Sequence, residues 1–185
     1  SNTHYVVNNF NNSLVSWWRG DGNALDELGR NNGTLTGNAN ATSTGMFNKS
    51  FGFDGTGDYV NAGDISSLEG IQKFSVSTWI YSGDISTYYL SVFGKHNDVN
   101  NRMGLMNSDA GNGGTNDLFV YVITSGSGYA YTNDNWLQLN TWYHAVMVFD
   151  GTQSTDATKL KFYVNGVQKT LYFSGAAQPT ITASG

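Results

Sequence analysis

The feature that most constrains the fold is an Asp-Gly turn followed by a segment that alternates like a strand. Phe53–Val60 turns at Asp54-Gly55 into a short apolar run, and in Phe74–Ile80 apolar side chains alternate with polar ones. Alternation with a period of two places every second side chain on one face of a pleated strand, and Asp-Gly is typical of the tight turns between antiparallel strands. The pattern predicts antiparallel β-structure with one buried face.

The same pattern recurs along the chain. Leu139–Gly151 and Leu160–Gly166 are strand-like runs that end in an Asp-Gly or Asn-Gly pair, and Asn165-Gly166 is predicted to join two strands as a two-residue hairpin turn. Stretches rich in Gly, Asn and Asp at 98–101, 108–116 and 125–135 are predicted as loops. We predict strands over Leu14–Trp18, Lys49–Phe53, Asp58–Ala62, Phe74–Tyr81, Tyr88–Lys95, Arg102–Met106, Asp117–Ile123, Trp142–Asp150, Leu160–Val164 and Val167–Phe173.

Together with Leu14–Trp18 and Asn31–Leu35, these segments resemble the concanavalin A-like, laminin G-like jelly-roll domains of bacterial secreted proteins. The resemblance runs from Leu14 to the C-terminus in the order of the family's motifs. It implies an all-β fold, an antiparallel two-sheet jelly-roll sandwich at residues 14–185, preceded by a linker or arm at residues 1–13. Relatives continue past a segment like Thr180–Thr182 with one more strand, so we expect a sandwich that lacks its last strand and has an open edge.

Composition limits the partners of such a domain. The 185 residues carry a net charge of −5 and contain no Lys/Arg cluster, which argues against nucleic acid as a partner because that binding requires basic side chains along the phosphates. No apolar run reaches the roughly 18 residues of a membrane span, and no insertion is expected. Only 12% of residues are charged, about half of the usual ~25%. We expect a secreted or cell-surface protein whose partner is a glycan or another cell-surface protein.

A calcium site is predicted in the loop at residues 21–32. Hard oxygen ligands are what Ca²⁺ prefers, and we take as candidates Asp21, Asn23, Asp26 and Asn31. Their spacing does not match an EF-hand, and support comes from the resemblance, which implies that Asp26 is a ligand. The alternative is that these side chains cap turns through bonds to their own backbone.

A sugar site is predicted from aromatic and amide side chains near the Gly-rich segments. The apolar faces of sugar rings stack on flat side chains, and their hydroxyls bond to amides and carboxylates. The candidates are Tyr88, Tyr89, His96, Asn97, Tyr129, Tyr131 and Trp136. The alternative is that these are ordinary surface residues of a β-sandwich. Trp17, Trp79 and Trp142 lie in predicted strands and are assigned to the core, and His144 to a structural role.

No catalytic site is predicted. Glycoside hydrolysis usually needs two carboxylates facing each other across the scissile bond, and Glu27 and Glu69 lie in loop-like contexts rather than alternating along a strand. The spaced glutamates of jelly-roll glucanases are absent. The sequence therefore predicts a non-catalytic recognition or adhesion module with a structural calcium ion. The alternative is a structural subunit of a filament, surface layer or viral fibre, completed by strand exchange at the open sheet edge.

Overall fold

A computed structural model of the protein describes residues 13–84, 90–98, 101–107, 117–123 and 129–174. The chain divides into two compact units, Ser1–Ser67 and Leu68–Gly185. Its regular structure is almost entirely antiparallel strands, which confirms the predicted all-β fold class. No helix among the described residues is long and apolar enough to cross a membrane.

In the first unit, strands pair as two short antiparallel ribbons. β1 (Thr34–Thr36) pairs with β4 (Tyr59–Asn61), and β2 (Asn40–Thr44) pairs with β3 (Lys49–Gly52). The Asp54-Gly55 turn precedes β4 as predicted, with Gly55 at a φ of 85°. The carboxylate of Asp54 accepts a hydrogen bond from the backbone N–H of Thr56 at 2.8 Å, so the side chain stabilises the turn that the sequence indicated.

The predicted strand at Leu14–Trp18 is wrong. Only Trp18 forms a β-bridge, to Asp26. The backbone N–H of Trp17 instead donates to the Asp26 carboxylate at 2.8 Å, and the carbonyl of Leu14 accepts from the side chain of Arg30 at 3.0 Å. Because side chains satisfy these backbone groups, no neighbouring strand is needed to do so.

The second unit contains a four-stranded and a five-stranded antiparallel sheet, with strand orders β12-β11-β10-β5 and β13-β9-β8-β7-β6. A one-turn 3₁₀ helix, Ser66–Leu68, precedes β5 in the chain. The elements are β5 (Lys73–Tyr81), β6 (Ser91–Asp98), β7 (Asn101–Asn107), β8 (Leu118–Ile123), β9 (Tyr129–Tyr131), β10 (Trp142–Asp150), α1 (Asp156–Lys159), β11 (Leu160–Val164), β12 (Val167–Gln168) and β13 (Tyr172–Ser174).

One face of each sheet forms the apolar core of this unit. The buried side chains alternate along the central strands of both sheets, as the period of a strand requires. They include Met103, Leu105, Leu118, Val120, Val122, Ala130, Ala145, Met147, Phe149, Leu160, Phe162 and Val164. The opposite faces carry mostly half-buried and exposed residues, with Gly104 and Tyr121 as buried exceptions. The arrangement is a β-sandwich, as predicted.

Two predictions about this unit need correction. Val167–Phe173 is not one strand, because β12 pairs with β11 whereas β13 pairs with β9 in the other sheet. The predicted loop at 125–135 contains a strand, β9, which pairs with β8 and β13. The Asn165-Gly166 hairpin is confirmed, with both residues at positive φ, 50° and 79°.

Candidate functional site: an aromatic stripe on the five-stranded sheet

The outer face of the five-stranded sheet carries a row of aromatic side chains. Antiparallel register places Phe119 of β8 opposite Tyr131 of β9, and Tyr131 opposite Tyr172 of β13. Tyr121 and Tyr129 lie two residues from Phe119 and Tyr131 along their own strands, so they share the same face. Val120 and Ala130 point to the other face and are fully buried in the core. We call Phe119, Tyr121, Tyr129, Tyr131 and Tyr172 the aromatic stripe.

The rings of the stripe contact one another across three strands. The centroids of Phe119 and Tyr129 lie 4.3 Å apart in a stacked arrangement, and those of Tyr131 and Tyr172 lie 5.8 Å apart, also stacked. Tyr129 and Tyr131 are 6.3 Å apart, and Phe119 and Tyr121 meet edge to face at 6.4 Å. Tyr172 is 46% exposed, and the three central rings are half-buried. The rings hold one another in place, and every ring of the stripe except that of Tyr121 keeps an accessible part.

At one end of the stripe, Tyr121 lies flat over Gly104 of β7, its partner in the register. A Cβ atom on Gly104 would lie 2.6 Å from Cζ of the Tyr121 ring, which is too close for two carbon atoms. Only glycine, which has no Cβ, therefore fits beneath the ring. Tyr121 is only 2% exposed. The Tyr121 hydroxyl forms a 2.7 Å hydrogen bond with Nε2 of His96 in β6, and the guanidinium of Arg102 in β7 lies over the Tyr121 ring, 5.6 Å from its centroid.

The environment of this end favours neutral His96 and neutral Tyr121 at pH 7. Partial desolvation of the His96 ring, in a residue that is exposed overall, acts with the nearby charge of Arg102 to lower the pKa of His96 from its usual value near 6.5. Burial raises the pKa of Tyr121 to about 12, although Arg102 acts in the opposite direction. Arg102 is therefore the charged group of this cluster.

The structure brings part of the predicted sugar site together. Tyr129 and Tyr131 lie in the aromatic stripe, and His96 lies at the Tyr121 end of it. Asn97 is in β6, and nothing is described of its side chain. Tyr88 and Tyr89 lie outside the described residues.

Trp136 is in a different environment from the stripe. Its indole N–H donates to the Thr132 hydroxyl at 2.9 Å, its ring packs against Phe162 and Tyr143, and the Lys169 ammonium lies 5.4 Å from its centroid. The Thr132 hydroxyl in turn donates to the carboxylate of Asp117, which is fully buried. These contacts support a structural role for Trp136.

The four-stranded sheet also carries aromatic side chains on its outer face. Trp79 of β5 lies 5.1 Å from the His144 ring of β10, and Tyr81 of β5 lies 5.3 Å from the Trp142 ring. The core assignment of two tryptophans is wrong, because Trp79 is 37% and Trp17 is 54% exposed. Trp142 is half-buried. The core assignment of Trp79 relied on its residue type. The alternation of β5 instead places Trp79 on the outer face of the sheet, whereas Val76 and Ile80 face the core.

In the loop at residues 21–32, the predicted calcium ligands bind protein groups. The Asp26 side chain is only 4% exposed, and its carboxylate accepts hydrogen bonds from four backbone N–H groups, those of Trp17, Leu28, Arg30 and Asn31. Burial alone would raise the pKa of Asp26, but these donors outweigh it and lower the pKa. Asp26 therefore organises the loop as an ionised acceptor.

The other three candidates are also bonded within the protein. One carboxylate oxygen of Asp21 accepts from Arg19 and from Asn48, each at 2.8 Å. The Asn23 amide oxygen accepts from the backbone N–H of Leu25, and the Asn31 amide N–H₂ donates to Ser16 and Val15.

These contacts do not fit a calcium ion held by Asp26. Calcium takes about six to eight oxygen ligands, but the positive ends of four N–H dipoles already face this carboxylate. Across the described residues, no cluster of three or more His, Cys, Asp or Glu side chains could hold a metal ion. Calcium binding elsewhere in the loop stays a prediction.

Sequence reasoning missed Phe119, Tyr121, Tyr172 and Arg102. The signal was the alternation in β8, where Phe119 and Tyr121 flank the apolar Val120. Tyr172 is unrecognisable as part of the same row until β13 is paired with β9. Arg102 could not be identified from the sequence, because only the structure shows that its guanidinium lies over the Tyr121 ring.

Residues 54–184 match the family Laminin G 3, described as the concanavalin A-like lectin/glucanases superfamily. No curated protein and no solved structure matches the chain. The matched range contains the entire aromatic stripe.

Proposed function

Because the chain belongs to the concanavalin A-like lectin/glucanases superfamily, we propose that it is a non-catalytic extracellular recognition module that binds a glycan along the aromatic stripe. Membership in the superfamily supports a carbohydrate- or protein-binding module. The proposal goes further by selecting a glycan and a binding face.

The observation that carries the proposal is the row of contacting rings from Tyr121 to Tyr172. Aromatic rings offer flat apolar surface to the C–H faces of sugars. Because the row crosses β8, β9 and β13, an extended oligosaccharide that lies across the strands meets several rings in succession. A ring held by its neighbours loses little conformational freedom when the ligand binds, which favours affinity.

The chemistry of the same face supports a non-catalytic role. Glycoside hydrolysis usually needs a pair of carboxylates on either side of the scissile bond. β7, β8 and β9 contain no Asp or Glu within their bounds. The described side chains on this part of the face include rings, a guanidinium and an imidazole, which suit binding.

A glycan screen tests the proposal, with Tyr131→Ala as the diagnostic variant. Tyr131 contacts two other rings of the stripe, so its loss interrupts the row and is expected to weaken binding about tenfold or more. Tyr163→Ala is the matched control, because Tyr163 is a half-buried tyrosine of β11 in the other sheet. Equal loss of binding in both variants, or binding unaffected by Tyr131→Ala, would count against the stripe.

A calcium ion in the loop at residues 21–32 is a separate part of the proposal. Thermal unfolding with calcium and with a chelator tests it, because an ion that binds the folded state raises the midpoint. Asp21→Ala is the informative variant, because Asp21 is exposed enough to reach an ion and takes part in fewer hydrogen bonds than Asp26. If the midpoint of thermal unfolding does not change when calcium is added, the loop does not bind the ion.

A second candidate function, a self-assembling structural subunit, is favoured by the edge of the four-stranded sheet. Among the described strands, β5 pairs only with β10, along an uninterrupted nine-residue register. A regular strand edge can accept a strand from another chain or from another segment. Deletion of residues 1–12 tests whether that segment assembles copies. Unchanged oligomer size after the deletion, measured by light scattering, would contradict this route.

A further inference from the structure

Building on the proposed glycan binding, we propose that the glycan carries a carboxylate, as a uronic-acid sugar does, and that Arg102 binds this carboxylate beside Tyr121.

The placement of Arg102 on the binding face is the first step. Arg102, Gly104 and Met106 alternate along β7, and the register sets Gly104 opposite Tyr121 and Met106 opposite Phe119. Arg102 therefore shares the face of the stripe. Its guanidinium lies over the Tyr121 ring, 5.6 Å from the centroid. A sugar stacked on the neighbouring rings lies within reach of this guanidinium.

The second step is that Arg102 has no acceptor among the described residues. Its Nε atom is buried and forms no hydrogen bond, and no described carboxylate forms an ion pair with it. Arg19 differs, because it pairs with Asp21 at 2.8 Å. Arg30 also differs, because it donates to the Leu14 carbonyl at 3.0 Å.

An unsatisfied buried donor is costly, and the cost is greater when the group is charged. Buried polar groups in folded proteins are therefore nearly always hydrogen-bonded. The described side chains that contact the Arg102 guanidinium do not offset its charge. His96 and Tyr121 supply a neutral imidazole and a neutral phenol. Arg102 as a whole is half-buried rather than buried, so a negatively charged ligand group that approaches its accessible part would offset this charge.

The chemistry of arginine selects the kind of anion. The guanidinium is planar, and two of its N–H groups match the two oxygens of a carboxylate. The protein as a whole has a net charge of −5, so a densely charged polyanion is repelled over longer distances. A glycan with separated carboxylates meets Arg102 locally and the apolar rings elsewhere. We therefore favour uronic-acid oligosaccharides over heavily sulfated ones.

The test measures affinity by calorimetry for a panel of uronic-acid oligosaccharides and for the same oligosaccharides after reduction of their carboxylates to alcohols. Each pair has the same sugar backbone and differs only at the position where a carboxylate is replaced by a hydroxymethyl group. The wild-type protein is expected to bind at least one acidic member roughly tenfold to a hundredfold more tightly than its reduced form, the range expected for a hydrogen bond to a charged group. Sulfated oligosaccharides form a third set.

Variants then assign the preference to Arg102. Arg102→Gln is expected to bind the acidic and reduced forms equally, at the affinity of wild-type protein for the reduced form. Arg102→Lys keeps the charge but not the planar group and is expected to retain part of the preference. Lys73→Gln is the charge-matched control, because Lys73 is an exposed residue of β5 in the other sheet, and it is expected to behave as wild type. Circular dichroism confirms that each variant is folded.

A second readout does not depend on a variant. A carboxylate bound at Arg102 lies close to His96, so NMR titration of the His96 ring is expected to show a higher pKa in the complex than in the free protein. An unchanged His96 pKa in a saturated complex overturns the proposed position of the carboxylate.

The outcomes separate the two proposals. Binding of reduced oligosaccharides that depends on Tyr131, without any preference for acidic ones, overturns the carboxylate and leaves the glycan function intact. A preference for sulfated over carboxylated ligands overturns the carboxylate in the same way. Absence of binding to every member of the panel overturns both. An acidic preference that survives Arg102→Gln overturns the role of Arg102.

Discussion

The outer faces of the two sheets in the second unit both carry aromatic rings, but they differ in continuity and in how their polar atoms are satisfied. On the four-stranded sheet the rings form separate pairs, Trp79 with His144 and Tyr81 with Trp142. The polar atoms there are bonded, His144 Nε2 to the Ser77 hydroxyl at 2.8 Å and the Tyr81 hydroxyl to the Asn140 amide oxygen at 3.1 Å.

On the five-stranded sheet the rings form one connected row that ends at Arg102. Both faces carry at least one exposed ring, because Tyr81 is 48% exposed and Tyr172 is 46% exposed. Aromatic content therefore does not by itself identify a binding face. A continuous row of rings beside a charged group that has no acceptor among the described residues is the more informative combination.

The largest expected effect comes from Gly104, which allows Tyr121 to lie flat. In Gly104→Ala the new Cβ would lie 2.7 Å from the Phe93 carbonyl oxygen as well as against the Tyr121 ring, so backbone and ring must both shift. We expect a loss of about 1–3 kcal/mol in the free energy of unfolding, measured by urea denaturation, together with weaker glycan binding.

Gly94→Ala is the matched control for this prediction. Gly94 is opposite Gly104 in the register of β6 and β7, but its Cβ would lie 3.4 Å from the His96 ring, an ordinary contact. We expect unfolding within about 1 kcal/mol of wild type. Equal destabilisation by the two substitutions would show that the strands, rather than the Tyr121 ring, respond to the added methyl group.

The next largest effect is expected on glycan affinity, when one ring is removed from the five-stranded sheet and the result is compared with removal of one ring from the four-stranded sheet. Phe119→Ala deletes the ring that contacts both Tyr121 and Tyr129, and it should reduce glycan affinity about tenfold, or ~1.4 kcal/mol. Trp79→Ala removes a larger ring from the other face and should leave affinity unchanged. The comparison between the faces fails if Trp79→Ala reduces affinity as strongly as Phe119→Ala, measured by calorimetry on folded protein.

The hydrogen bonds between side chains on the outer face of the four-stranded sheet can be tested by substitution of Ser77. Ser77→Ala removes the partner of His144, and because both residues are near the surface we expect a loss of only about 0.5 kcal/mol in the free energy of unfolding. Glycan affinity should not change. A change in affinity would indicate that this face also binds the ligand.

The smallest difference should appear as a dependence on pH. The pKa of His96 is lower in the folded protein than its usual value near 6.5, so the unfolded chain binds this proton more readily. The contribution of neutral His96 to the free energy of unfolding is therefore fully present above pH 6.5 and is lost as the pH falls below that value. Denaturation at pH 7.5 and 5.5 should show a smaller difference in His96→Gln than in wild type. A larger difference in the variant contradicts this direction.

The sequence predicts the long strands well because their alternation is regular. The predicted ranges Trp142–Asp150 and Leu160–Val164 coincide with β10 and β11, and Phe74–Tyr81 differs from β5 by one residue. Short strands are harder, because pairing rather than composition decides them. β9 has three residues between polar segments and is a strand because β8 and β13 pair with it.

For the candidate site, too, the sequence indicates residue types but not the pairing that brings the residues together. Tyr129, Tyr131 and His96 were candidates because of their residue types, but the row that connects them needs the register of β8, β9 and β13. Asp26 was chosen as a calcium ligand for its carboxylate, and the sequence contains no information on the four N–H donors that converge on it. Contacts between residues distant in sequence determine both roles.

The most direct test of the central claim is to map the bound glycan on the protein by NMR, using the tightest ligand from the screen and an isotope-labelled wild-type chain. The account predicts that amide shifts change in β7, β8, β9 and β13, with ligand contacts to the rings of Phe119, Tyr129 and Tyr131. Shift changes concentrated instead on β5 and β10, around Trp79 and His144, would contradict it.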